Sequence, residues 1–194
     1  MSLLLALSIG CASGPYGAPS DAIVTYKGGV GSLGAIFDVS YNDPDDGIGL
    51  LVREQVMVSR IVSDGGDGGG ETRELPLNNI LVDITSGWSA AYVIPATAVT
   101  IVDEYEAGCD DDASEECNAW FDIGEERYVE FAGEYNDLGG FRPTYMEGGT
   151  DGRGILEFYV FIDSIPSDDE GEIIPISLYA SIGVAADSWS YDFQ

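Results

Sequence analysis

Carboxylates are the side chains of this sequence whose type and spacing could do chemistry. Three turns rich in Asp, Asn and Gly present oxygens close together: Asn42, Asp43, Asp45 and Asp46; Asp64, Asp67 and Glu71; Asp110, Asp111 and Asp112. Calcium takes roughly six to eight oxygens from carboxylates, carbonyls and water, which is what such turns offer. Calcium is therefore the one cofactor the residues suggest, with Asp43, Asp45, Asp46, Asp64, Asp67 and Glu71 as the leading ligands. None of the turns has the spacing of an EF-hand loop. The alternative for each is a solvated acidic loop that holds no particular ion.

Catalysis has less to build on. The chain has no histidine, which removes Ser-His and Cys-His activation and imidazole as a metal ligand. A nucleophile elbow and a phosphate-binding P-loop are also missing from the sequence. A glycosidase needs only two carboxylates, and Glu104, Glu106, Glu130 and Glu134 could supply them. With 35 acidic residues in the chain, pairs arise by chance, so a non-catalytic protein is expected. Trp88, Tyr92, Trp120, Tyr128, Tyr159 and Trp189 are expected in the core, because aromatic residues favour strands. Their other use would be as platforms on which sugar rings stack.

Charge narrows the partners. Seven basic residues against 35 acidic ones leave a formal charge of −28, a field that repels phosphate backbones and anionic headgroups. Nucleic acid is excluded on this ground, and contact with a membrane is expected only through a covalent anchor. Other envelope or surface proteins, glycans and further copies of the chain remain as partners. Self-association would proceed by strand addition at open sheet edges.

The anchor is read from the start of the chain. Residues 1–10, MSLLLALSIG, are apolar but too few to span a bilayer as a helix, and have the character of a secretory signal. Leu7-Ser8-Ile9-Gly10-Cys11 resembles a bacterial lipobox, with the leucine one place early and Ile9 at the small-residue position. That resemblance implies lipidation of Cys11, cleavage before it, and an exported protein of the outer membrane or cell surface. Residues 11–20 then read as the anchor cysteine and a flexible Gly- and Pro-containing tether. Cys109 and Cys117 flank DDDASEE in a solvent-seeking segment and are expected to form a local disulfide. Lipidation of Cys11 would account for the odd cysteine.

The elements that must position all this are strands. Apolar residues alternate over 22–26, 35–41, 50–62, 80–84, 91–94, 98–102, 127–131, 155–162, 173–182 and 188–193, the period of half-buried strands. Gly, Asp and Pro clusters separate them, and no stretch reads as a long amphipathic helix. The expectation is all-β: one antiparallel sandwich over 21–194 with long acidic loop insertions. Two stretches, 35–59 and 150–183, resemble the immunoglobulin-like modules of invasin- and intimin-type surface proteins. The first carries a strand, an Asp-Pro-Asp-Gly turn and a second strand; the other has a Thr-Asp-x-x-Gly turn and a closing pair of strands. The resemblance implies an immunoglobulin-like order and a spacer, adhesive or filament-forming role.

Overall fold

The computed structural model describes residues 17–28, 36–37, 50–63, 71–102, 120–122, 128–131, 143–162, 167 and 171–193. Within them the chain is all-β. The strands are β1 (Ala22–Tyr26), β2 (Ile36–Phe37), β3 (Leu50–Ser63), β4 (Thr72–Pro76), β5 (Leu81–Ser86), β6 (Ala91–Pro95) and β7 (Val99–Val102). They continue with β8 (Trp120–Asp122), β9 (Tyr128–Phe131), β10 (Tyr145–Gly149), β11 (Ile155–Ile162), β12 (Ile176–Ser181) and β13 (Ala186–Phe193).

Two five-stranded sheets form an antiparallel sandwich. The first runs β1-β3-β11-β6, with β4 attached to β3, and the second runs β10-β5-β12-β13-β2. Strand β3 is long because it serves three neighbours. Its Val56–Arg60 portion pairs with β1 on one edge, while β11 and β4 divide the other edge between Leu50–Met57 and Ser59–Ser63. The pairing of β2 with β13 is parallel and short, Ile36 and Phe37 opposite Asp192 and Phe193. A smaller sheet, β7-β9-β8, completes the described strands.

Period-two alternation sends one face of each sheet inward. Val24 and Tyr26, Val56 and Val58, and Phe158 and Val160 face Val82 and Ile84, Leu178 and Ala180, and Trp189 and Tyr191 in one apolar core. Each such Val, Leu, Ile or Phe stabilises the fold by about 1.5–3 kcal/mol through the area it removes from water. Strand β6 breaks the alternation, its first four residues all being buried. The reason is that both of its faces are covered. Ala91 and Val93 enter the main core, whereas Tyr92 and Ile94 join Phe161 and pack against Val99 at the start of β7.

The Thr-Asp-x-x-Gly turn is built largely by Asp151. Its carboxylate accepts the N–H groups of Arg153 and Ile155 at 2.8 and 2.9 Å, and Gly154 closes the turn at φ +75°. A Cβ at residue 154 would lie 2.6 Å from the Val58 carbonyl oxygen, so both the dihedral and the close approach call for glycine.

Several expectations change in detail. Strand β12 begins at Ile176 rather than Ile173, because Pro175 has no N–H for the ladder. Strands β4, β8 and β10 are additional. The stretch 150–183 does not form the closing hairpin that its resemblance implies, because β11 and β12 belong to different sheets; in the stretch 35–59, β2 and β3 also belong to different sheets. The closing hairpin is instead β12–β13, with Ile176 opposite Tyr191 and Ser181 opposite Ala186.

Candidate functional site

Two places in the sandwich hold polar chemistry that its packing does not require. One is internal. Glu54 lies on β3 in register with Val56 and Val58, so its side chain enters the core, where it is 1% exposed. The Tyr191 hydroxyl donates to its Oε1 across the sandwich, and Oε2 has no hydrogen-bond partner among the described residues. Burial raises the Glu54 carboxyl above its usual range, with the Tyr191 and Tyr26 hydroxyls opposing the rise. Burial and the facing carboxylate push Tyr191 well above the ordinary phenol range. Tyr26 stacks on Trp189 with ring centroids 4.3 Å apart and planes 6° from parallel. Phe158 meets the same indole at 6.2 Å in a tilted contact. The carboxyl thus sits in a wall of aromatic rings joining the first and second sheets.

The other place is the outer face of the second sheet. Register sets Tyr145 opposite Thr85, Thr85 opposite Tyr179, and Tyr179 opposite Ser188. The next row along the strands is Glu147, Asp83, Ser181 and Ala186. Tyr145 is 50% exposed and Tyr179 49%. The Tyr145 hydroxyl donates to Asp83 Oδ1 at 2.9 Å, which draws the ring down across the sheet toward the carboxylate row. Glu147 and Asp83 together hold that phenol well above its usual range. Tyr179 lies against Gly87, where a Cβ would stand 3.8 Å from its ring and 3.1 Å from the Ser177 carbonyl oxygen. Glycine leaves the backbone bare beside that ring.

Positive charge is absent from this face among the described residues. Lys27, Arg53, Arg60, Arg73 and Arg153 belong to the strands and turns of the first sheet. There Glu157 accepts Arg53 and Gln55 at 2.7 and 2.8 Å, and Lys27 stands 3.9 Å from Glu74. Among the described residues the molecule is therefore polarised: Lys27, Arg53 and Arg153 pair with acids at the first sheet, while the outer face of the second presents acids, hydroxyls and rings.

Most of the residues singled out from sequence lie outside the described residues: Cys11, Cys109, Cys117, Asn42, Asp43, Asp45, Asp46, Asp64, Asp67, Asp110, Asp111, Asp112, Glu104, Glu106 and Glu134. Glu71 is described, exposed just before β4, and no group of three potential metal ligands converges among the described residues. Glu130 falls on β9 opposite Thr100 and Trp120. Of the expected aromatic residues, Tyr92 and Trp189 are core, and Trp88 packs at its margin. Tyr159 is half-buried on the outer side of β11.

Sequence reasoning missed Glu54, Tyr191, Tyr145 and Tyr179 as a set. Glu54 had a signal, since it occupies an inward position of the alternating run Val52, Glu54, Val56, Val58. The tyrosine pair had none, because it depends on which strands are neighbours. An all-β sandwich with a buried acid and an exposed aromatic face is the class that fold and site define. Against known protein families, curated proteins and solved structures, the chain shows no match.

Proposed function

We propose that the protein is a cell-envelope lipoprotein, anchored through Cys11, whose sandwich serves adhesion at the surface rather than catalysis. The observation that carries the adhesive part is the outer face of the second sheet, where two half-exposed tyrosines stand beside hydroxyls and acids. Exposed aromatic residues grouped on one face are a feature of interaction surfaces. The lipobox-like run ending at Cys11 supports the anchor.

Assembly by strand addition is the neighbouring reading, and one detail of β1 favours the face over this edge. The Ala22 N–H already donates to the Pro19 carbonyl at 3.0 Å, and the Tyr26 N–H donates to Asp187 Oδ2 at 2.8 Å. Edge donors engaged in this way resist pairing with another chain.

Fractionation of a bacterial host expressing the full chain tests the anchor. Wild type is expected to partition with membranes and to incorporate labelled fatty acid, and Cys11→Ala to do neither. Equal solubility of the two would overturn the anchor. For adhesion, beads coated with the protein are expected to bind cell or matrix surfaces, and beads that bind none of them would overturn that part.

A further inference from the structure

The chemistry of the outer face of the second sheet specifies what it would hold. We infer that Tyr145 and Tyr179, with Asp83, Glu147 and the serines around them, form a binding platform for an extended, uncharged glycan. The inference rests on the adhesive reading and gives it a ligand class.

Four observations converge. The tyrosines lie on β10 and β12 with β5 between them, and both are opposite Thr85. Two strand spacings put their backbones about 10 Å apart, on the scale of one or two pyranose units, so one extended sugar chain would meet both rings. Tyr145 is fixed by its hydrogen bond to Asp83, and the edge of the Tyr179 ring comes near the side-chain-free backbone of Gly87. Both rings are half exposed, and the apolar C–H face of a sugar stacks on aromatic surface of this kind.

Polar groups supply the complement. Asp83 and Glu147 are acceptors beside the row of rings, suited to the hydroxyl donors of a polyol. Ser177, Ser181, Ser188 and Ser190 are brought to the same face by the β12–β13 register. Charge completes the selection. No described Lys or Arg lies on this sheet, and the chain carries −28 overall, so sulfated or uronic glycans would meet a repulsive field, with no cation among the described residues of the face to offset it. A neutral chain pays no such cost. A protein partner would usually need a buried apolar centre, whereas this face carries isolated rings set among hydroxyls and acids.

The test is affinity electrophoresis of the full chain in gels containing neutral polysaccharides (dextran, mannan, xylan, galactomannan and hydroxyethyl cellulose) or the anionic controls alginate and polygalacturonate. At least one neutral polysaccharide is expected to retard the wild type, and neither anionic one. Tyr179→Ala and Tyr145→Ala should each weaken the retardation about tenfold or more, the scale of losing one stacked ring. Tyr145→Phe should retain part of it. Both side chains are half exposed, and an unchanged thermal midpoint and Trp emission would verify folding. No retardation by any neutral gel, equal retardation by the anionic gels, or retardation unchanged in Tyr145→Ala/Tyr179→Ala would each overturn the platform. The bead assay separates the two readings: beads carrying that double variant that still adhere would leave adhesion standing and remove the glycan site.

Discussion

Replacing Tyr191 with Phe removes one oxygen from the core and should make stability depend more steeply on pH. In the wild type that hydroxyl is the donor to Glu54 Oε1, and Oε2 is without a partner among the described residues. Deleting it takes away one of the two hydroxyls that serve the buried carboxyl, Tyr26 being the other, and a lost bond to a buried acceptor costs about 1–3 kcal/mol, more when the acceptor is charged. The sign with pH follows from Glu54, whose folded value is raised above the usual 4.5, burial being the largest cause. A raised carboxyl binds its proton more tightly in the folded state. The stability it contributes is complete below the unfolded value and is lost as pH rises through the folded one. Tyr191 opposes that rise, so Tyr191→Phe lifts the folded value further. Each added unit removes about 1.4 kcal/mol at pH above both values. The cost of Tyr191→Phe should therefore be near the lower end of that range at pH 4 and distinctly larger at pH 8. In a Glu54→Gln background it should be nearly the same at both. Urea unfolding followed by Trp emission, in constant high salt to screen the net charge, gives the four values of the cycle. A penalty independent of pH, or one whose pH dependence survives Glu54→Gln, would refute the reasoning.

Gly154→Ala should destabilise by about 2 kcal/mol or more, from the positive φ and the close Val58 oxygen, measured as a lower urea midpoint with unchanged slope. Asp151→Asn should also lower stability, and the gap from wild type should close in acid. The Ile155 N–H foremost, with Arg153, holds that carboxyl below its usual range, so its contribution is present above the usual value and disappears as pH falls through the folded one. A gap that persists unchanged at pH 2 would argue against the turn's electrostatics. The pair Cys109 and Cys117 should gain mass on alkylation only after reduction. Their bridge should contribute about 2–3 kcal/mol by closing a short loop.

Strands were legible where burial alone decides the pattern. Residues 22–26 and 155–162 alternate against one covered face, and both strands are found at those bounds. Strand β10 was hidden because Gly148 takes an inward position with no side chain. Leu156 fills that space, its Cδ1 lying 2.6 Å from where a Cβ would stand. Strand β4 was hidden for the opposite reason: nearly all of it is exposed, so no apolar period marks it. The tyrosine face needed strand order as well. Tyr145 and Tyr179 are 34 positions apart in the chain and become neighbours only because β5 inserts between β10 and β12. Alternation along one strand carries no information about which strand lies beside it.

The meeting of β1 with β13 sets a timetable for the molecule. The Tyr26 N–H waits for Asp187, a partner 161 residues downstream, and the Tyr26 ring and Glu54 wait for Trp189 and Tyr191. At about 5–20 residues per second of synthesis, that interval is on the order of 10–30 s. Throughout it β1, β3 and β5 can meet, yet the flank of the core that Trp189 and Tyr191 fill stays open. Glu54 spends the same interval in water, ionised at neutral pH. Docking of β13 is then a non-local closure of the slow kind, and it takes the Glu54 carboxyl out of water. Until β13 has docked, Glu54 and the Tyr26 ring stand on an open flank of the sandwich.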